Sequence, residues 1–167
     1  LHVRSRRQRQ MCIRDRDGVS VESDTLGALL YPLEGDTFAL DMVIKPERYH
    51  EFGIALHVDK ELETGYFLRM NPKNQLVAWD MWPRGEQGRY QWQIKGDVPY
   101  QIETARKLPK AEEYRVHIIK EKDICVVYIN DEIVLSTRMY NHKDGYAGIY
   151  VVQGNVKLIQ YKEKRSE

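Results

Sequence analysis

The sequence predicts an all-β domain built as a two-sheet antiparallel β-sandwich or jelly roll. Three observations favour this fold. Apolar and polar residues alternate in many short segments, which is the pattern of half-buried strands. Turn-forming residues separate these segments. No segment carries the apolar stripe of an amphipathic helix, and Pro109 interrupts 103–113, the best helix candidate.

The predicted strands follow from this alternation in chain order. In the first of them, Phe38, Leu40, Met42 and Ile44 alternate with less apolar neighbours. The full set covers residues 38–44, 54–58, 66–70, 76–81, 114–119, 124–129, 133–138, 146–152 and 156–161. Residues rich in Asn, Asp, Gly and Pro predict turns between strands at 71–74, 130–132, 143–145 and 153–155.

The hairpin formed by 66–81 divides its side chains between two faces. With a loop at 71–74, Met70 pairs with Gln75 and Leu68 with Val77. The expected core face carries Tyr66, Leu68, Met70, Val77, Trp79 and Met81, and the opposite face carries Phe67, Arg69, Leu76, Ala78, Asp80 and Trp82. In this register Arg69 and Asp80 are too far apart to pair directly. We expect Trp79 to be buried and Trp82 to be more exposed.

The opposite face of this hairpin is the candidate ligand site. Sugar rings pack their C–H faces on aromatic rings, and their hydroxyls suit carboxylate acceptors and arginine donors. Arg69, Asp80 and Trp82, with Arg84 at the rim, supply that mixture. The alternatives are that Asp80 is a solvated strand residue and that Trp82, next to a proline, covers a sheet edge.

The first sixteen residues have a separate explanation. With one permissible choice of codons, residues 6–15 back-translate to a string that resembles the transposon-end adapter ligated to DNA fragments before sequencing, and 1–5 fit the outer adapter with its index. A genuine basic tail would require this match by coincidence. We interpret 1–16 as a non-native, adapter-derived segment without defined structure. The rest is then one sandwich domain at 17–162 with a solvated tail at 163–167, and a C-terminal part of a longer protein.

Charge and cysteine content exclude several functions. Residues 1–16 hold six Arg and one Asp, so the remaining chain has 20 basic and 24 acidic residues and a net charge of −4. This balance argues against a nucleic-acid partner. No apolar run is long enough to cross a membrane. Cys125 lies in an apolar strand and is expected to be buried, and the five histidines have no metal-ligand spacing, so we expect no metal and no cofactor.

The last third of the chain carries a family resemblance. The segments CVVYIND (125–131), TRMY (137–140) and GIYV (148–151) resemble the C-terminal β-sandwich of glycoside hydrolase family 32, the β-fructosidases that include invertases, levanases and inulinases. Cys125 stands where that family often has Glu, and Tyr128 replaces a usual Phe. Residues 38–84 are similar to the same sandwich more loosely. Related concanavalin-like modules, including fructan-binding ones, share this pattern, so the resemblance implies a concanavalin-like jelly roll.

The catalytic motifs of the family are missing. Its nucleophile lies in a W-M-N-D-P-N-G motif, whereas here Asn71 is followed directly by Pro72. The acid/base Glu-Cys motif and the Arg-Asp-Pro motif are also absent, and a retaining glycosidase needs two carboxyls. We therefore predict no catalytic residue and no enzymatic activity for this chain, while the resemblance implies a parent β-fructosidase.

Two hypotheses from different functional classes remain open. In the first, the domain is a non-catalytic carbohydrate-binding or substrate-orienting module, with a fructan or fructosyl oligosaccharide as ligand and an upstream catalytic domain of the same polypeptide as partner. In the second, it is a purely structural sandwich that supports that catalytic domain without touching sugar. The sequence leaves the cellular location open.

Overall fold

The computed structural model describes residues 2–5, 10–82 and 100–165, and these form strands joined by loops and one short 3-10 helix. No α-helix occurs in these ranges. The strands are β1 (His2–Ser5), β2 (Gln10–Asp15), β3 (Gly18–Pro32), β4 (Thr37–Arg48), β5 (Glu51–Val58), β6 (Gly65–Asn71), β7 (Leu76–Trp82), β8 (Tyr100–Gln101), β9 (Tyr114–Glu121), β10 (Ile124–Ile129), β11 (Ile133–Arg138) and β12 (Tyr146–Arg165).

The strands form two antiparallel layers. One layer, the β4 layer, has the order β11-β10-β9-β4, and the other, the β5 layer, has the order β8-β7-β6-β5. The C-terminal part of β12 pairs with β4 and its N-terminal part with β5, while β3 pairs with β12 along both parts. The long strands β3 and β12 therefore belong to both layers. The predicted two-sheet antiparallel sandwich is confirmed.

The strand β12 bends where it passes from one layer to the other. Its register against β3 shifts between Val152 and Gly154, and Gln153 has a φ of 49°. A Cβ atom on Gly154 would lie 1.9 Å from the carbonyl oxygen of Arg48, so the bend requires glycine. The predicted turn at 153–155 is wrong, because this segment is a bulge within one continuous strand.

The core lies between the two layers. The largest fully buried side chains include Trp79, Tyr66, Tyr114 and Phe52. The six residues of the hairpin's expected core face are all buried, and burying a large apolar side chain contributes about 1.5–3 kcal/mol. One charged side chain also points inward: the residue Lys120 is 2% exposed, with its Nζ 5.9 Å from the centre of the Phe38 ring. Burial lowers the pKa of Lys120.

The register of the β6–β7 hairpin differs from the prediction by two residues. Asn71 pairs with Leu76 around a 3-10 turn over Pro72–Asn74, and Gln75 takes a left-handed conformation with a φ of 55°. The backbone N–H of Asn74 donates to Asn71 Oδ1 at 3.3 Å, which closes the turn. A shift of two residues preserves both faces but brings Arg69 diagonally next to Asp80. The expectation that these two do not pair is wrong.

The N-terminal residues are paired in the sheet. β1 and β2 both pair with β3 on the side that β12 leaves open, and Cys12 packs against the main core. An open strand edge accepts any extended chain through backbone hydrogen bonds, which accounts for this pairing. The expectation that 1–16 lacks structure is therefore wrong for 2–5 and 10–15, and residues 1 and 6–9 lie outside the described ranges. The adapter origin of 1–16 stays a prediction.

Two further boundaries need correction. Residues 163–165 continue β12 and pair with β4, so the predicted solvated tail at 163–167 is wrong for its first three residues, and the last two lie outside the described ranges. The strand β3 was not predicted. Its alternation, clear at Val19 and Val21, is interrupted at Asp24 and Thr25 and then becomes a continuous buried run from Ala28 to Leu30.

Candidate functional site

A groove of about 620 Å³ lies on the outer face of the β5 layer. Strands of that layer point their alternate side chains away from the core into this groove. Its lining comprises Leu26 from β3, Glu51 from β5, Leu62 from the loop after β5, Phe67 and Arg69 from β6, Asp80 and Trp82 from β7, Gln101 from β8, and Tyr150 and Val152 from β12. Three of the four sequence-predicted site residues are thus brought together. Arg84 lies outside the described residues.

Arg69 lies between two carboxylates. Its Nε is 3.4 Å from Asp80 Oδ2 and 3.7 Å from Glu51 Oε1. These distances exceed the 2.7–2.9 Å typical of a charge-assisted hydrogen bond, and the buried Nε makes no hydrogen bond to any described residue. The three side chains are therefore held together by charge and retain hydrogen-bonding capacity for another partner.

Both carboxylates are held in an unfavourable environment. Burial raises the pKa of Asp80, and the attraction of the Arg69 guanidinium only partly offsets this effect. Burial likewise raises the pKa of Glu51, with Arg69 lowering it and the negative charge of Asp80 raising it further. Such carboxylates gain more than exposed ones from a ligand that donates hydrogen bonds, and groups of this kind concentrate at functional sites.

An aromatic wall stands beside the charged residues. Tyr150 is buried, and its ring meets Phe67 edge to face with centroids 5.6 Å apart. Burial raises the pKa of Tyr150 well above its ordinary value, and Glu51 and Asp80 raise it further, so the phenol keeps its proton. With Leu26, Leu62 and Val152 these rings belong to a second apolar cluster, separate from the core between the layers.

Glycine makes room for this wall. Gly53 is paired with both Arg69 and Tyr150 across the sheet. A Cβ atom on Gly53 would lie 2.9 Å from Cε1 of Tyr150 and 1.9 Å from the carbonyl oxygen of Leu68. A side chain at this position would clash with the Leu68 carbonyl and crowd the Tyr150 ring, so the close packing here requires glycine.

Trp82 lies at the end of β7, with Gln101 of β8 also lining the groove. Trp82 is half-buried, whereas Trp79 is completely buried among the core residues. The prediction that Trp79 is the more buried of the two is confirmed. Because Trp82 lines the groove, the interpretation of this residue as only an edge cover is not required.

Sequence analysis missed two important members of the site, Glu51 and Tyr150. In β5, every second residue from Ala55 through Gly53 to Glu51 lies on the outer face. In β12, Ile149 lies on the core face, so its neighbour Tyr150 lies on the outer face. The signal for the face was therefore present. What was missing was the pairing of β5 with both β6 and β12, which brings residues about 70 to 100 positions apart into one groove.

A second cleft, of about 430 Å³, opens between the edges of the two layers and includes Tyr66, Asn141 and Thr137. The backbone N–H of Asn141 donates to the Tyr66 hydroxyl at 3.0 Å, and the Asn141 amide contacts Met81 Sδ at 3.3 Å. The polar groups of Tyr66 and Asn141 are thus used within the protein, whereas the buried Thr137 hydroxyl makes no hydrogen bond to any described residue. The cleft holds no predicted site residue.

The described ranges also bear on metal binding and on membrane spanning. They contain no group of three or more His, Cys, Asp or Glu side chains placed to hold a metal ion. Within the same ranges, no helix has the length and apolarity needed to cross a membrane.

The chain was compared with known proteins. No protein-family model matches it, and neither does any curated protein sequence. Among solved structures, the carbohydrate-binding module CBM66 from Bacillus subtilis superposes with a TM-score of 0.77 at 16% identity, covering 98% of this chain and 95% of that one. Chicken galectin 2 gives 0.54 at 11% identity (82% and 99%), and Caenorhabditis elegans galectin LEC-6 gives 0.53 at 12% (80% and 91%). At these identities the likeness establishes the fold, an antiparallel jelly-roll sandwich shared with these proteins.

Proposed function

We propose that this chain is a non-catalytic carbohydrate-binding module whose groove on the β5 layer holds a fructosyl unit of a neutral fructan. The observation that carries the proposal is the placement of Arg69 between Glu51 and Asp80, directly beside the Tyr150 and Phe67 rings. This is the mixture of forked donor, carboxylate acceptors and aromatic surface that a polyhydroxyl ring requires.

Each part of the groove has its own task in binding. Sugar hydroxyls donate to the carboxylates of Glu51 and Asp80, and the Arg69 guanidinium donates to sugar oxygens. The rings of Trp82 and Phe67 receive the C–H faces of the sugar. Binding replaces water at carboxylates whose raised pKa values show that they are poorly solvated.

The charge of the groove selects for neutral sugars. When both are ionised, Glu51 and Asp80 give the groove two negative charges, and Arg69 supplies one positive charge. A uronate, sulfate or phosphate group would meet net repulsion, whereas a hydroxyl finds acceptors. Fructans consist of neutral units and therefore meet this requirement.

Two likenesses support the choice of ligand and parent protein. The solved structure named as a carbohydrate-binding module covers 98% of this chain. The resemblance of the last third of the chain to the β-sandwich of family 32 points to fructans and to a β-fructosidase as the parent. An upstream catalytic domain of the same polypeptide is then the partner.

Retention on an insoluble fructan tests the proposal. The chain should be depleted from solution by insoluble levan, and Arg69→Met should weaken this depletion, because the variant keeps the aliphatic stem but loses the guanidinium. Lys110→Met, which removes one exposed positive charge on the loop before β9, is the matched control and should bind normally. Failure of the unmutated chain to bind any fructan would favour the purely structural sandwich.

A second measurement concerns catalysis. Arg69 Nε lies within 4 Å of both groove carboxylates, so a cation stands between them, whereas a glycosidase leaves the space between its two carboxyls to the scissile bond. Levan, inulin or sucrose incubated with the chain should release no fructose above a blank without protein. Release that disappears on mutating a single carboxylate would contradict a non-catalytic role.

A further inference from the structure

The outer face of the β4 layer, on the side of the sandwich away from the groove, carries a row of side chains that the proposed function does not use. Asp41 of β4 is paired with His117 of β9, His117 with Tyr128 of β10, and Tyr128 with Val134 of β11. The neighbours of Asp41, His117 and Tyr128 along their strands are buried, and Val134 is exposed next to the buried Leu135, so all four side chains point away from the core. The row therefore crosses four strands on one surface.

The polar end of this row consists of side chains joined by a hydrogen bond and an ion pair. The Nδ1–H of His117 donates to Asp41 Oδ1 at 2.5 Å, and both side chains are about 40% exposed. Beside them Arg115 forms an ion pair with Asp131 at 3.8 Å. These residues, with Gln160 of β12, line a second groove of about 570 Å³.

The other end of the row is apolar and exposed. Tyr128 is 37% exposed, and its ring is tilted by 34° to the imidazole of His117 with centroids 6.2 Å apart. Val134 and Ile119 are 46% and 42% exposed on the same face. Exposed apolar side chains that are grouped on one face beside polar groups are a feature of binding surfaces.

We propose that this row is a second carbohydrate-binding site, on the opposite face of the sandwich, for another segment of neutral fructan. Arg115 and Asp131 in it form an ion pair, and Asp41 accepts a hydrogen bond from His117, so these charged groups already have partners and an ionic ligand finds little to attract it. It offers an aromatic platform, an amide and charged groups that donate to or accept from hydroxyls. The choice of sugar rests on the proposed function, whereas the site itself rests on this row.

Two sites on opposite faces give the domain a specific property. Each site takes a different segment of polysaccharide, so one copy of the domain holds two segments of fructan at the same time. Binding to polymeric fructan then becomes tighter than binding to a short oligosaccharide, because the second contact forms at a high effective concentration.

Calorimetry with an inulin-type trisaccharide tests this inference. The unmutated chain should bind two trisaccharides. Tyr128→Ala should bind one, and the double variant Glu51→Gln with Asp80→Asn should bind one at the remaining site. Combining all three substitutions should abolish binding. Tyr140→Ala, which removes an exposed tyrosine outside both grooves, is the matched control and should still bind two.

The outcomes separate this inference from the proposed function. A stoichiometry of one that only the groove variant abolishes overturns the second site and leaves the proposed function intact. A stoichiometry of one that only Tyr128→Ala abolishes refutes the groove and supports the second site. Sedimentation of the free chain as a dimer that Tyr128→Ala dissociates would assign this face to a second copy of the chain and overturn the inference. Each variant's thermal unfolding, measured in parallel, shows that it is folded.

Discussion

Replacing Asp80 with Asn should weaken sugar binding without weakening the fold. The residue Asp80 is 8% exposed, and its carboxylate lies 3.4 Å from Arg69 Nε at the floor of the groove. Asn has nearly the same shape, so packing against Phe67 and Tyr150 is preserved. The substitution removes one charge and one acceptor, and leaves Arg69 with Glu51 as its remaining ion partner.

The expected magnitude follows from the chemistry of the lost contact. A hydrogen bond to a charged group contributes about 1.5–3 kcal/mol, which corresponds to roughly a 10- to 150-fold loss of affinity. The effect on stability has the opposite sign. Because burial raises the pKa of Asp80 in the folded state, the ionised carboxylate destabilises the fold above that pKa, and this penalty is relieved as the pH falls through it. Asn lacks the penalty, so stability at pH 7 should be unchanged or higher.

Two measurements decide this prediction. Titration calorimetry with an inulin-type oligosaccharide, carried out on chains that also carry Tyr128→Ala, gives the affinity at the groove, and thermal unfolding at pH 7 gives the stability. Glu112→Gln, an exposed change of the same charge, should alter neither. Unchanged affinity in Asp80→Asn, or a lowered unfolding temperature together with lowered affinity, would refute the reasoning, because the carboxylate would then be structural rather than a ligand group.

Three further predictions concern the fold. Trp79→Ala should cost about 3–5 kcal/mol of unfolding free energy in denaturant titrations and Trp82→Ala much less, because only Trp79 is completely buried; equal losses would show that the hairpin faces are wrong. The Nδ1–H of His57 donates to the Asp144 carbonyl at 3.0 Å, and burial lowers the pKa of His57 to about 4, so the chain should lose up to about 3 kcal/mol of stability as the pH falls from 6.5 to 4. His57→Asn, which tolerates the φ of 54°, should lack this loss. The same dependence of stability on pH in the variant and the unmutated chain would contradict the assignment. Removing residues 1–16 should lower the unfolding temperature by no more than about 2–4 °C, because among the described strands β1 and β2 pair with the outer edge of β3 alone. A shortened chain that fails to fold would contradict a non-native origin.

Much of the sandwich was predictable because the alternation of apolar and polar residues along a strand indicates which side chains face the core and which face solvent. The hairpin face of Tyr66, Leu68 and Trp79 is buried as the alternation predicts, even though the register was wrong by two residues. A register shift of two residues leaves every side chain on the same face of the sheet. The predicted burial was therefore correct, whereas the predicted partner of Arg69 was wrong. Register depended on the 3-10 turn after Asn71, whose geometry the residue types alone did not specify.

The missed parts share a different cause. The length of β3 and the bulge at Gln153 both arise because two long strands, β3 and β12, belong to both layers. The alternation of apolar and polar residues within one segment carries no information about that requirement. The same holds for the site. Arg69, Asp80 and Trp82 come from one hairpin and could be found together, whereas Glu51 and Tyr150 join them only through sheet pairing.

The central claim is that the groove beside Arg69 binds sugar. A crystal structure of the chain with an inulin-type trisaccharide, at a concentration that saturates binding in solution, tests this most directly. The account predicts sugar hydroxyls within hydrogen-bond distance of Glu51, Arg69 and Asp80, with a ring face on Trp82 or Phe67. An empty groove, or a trisaccharide bound only elsewhere on the chain, would contradict it.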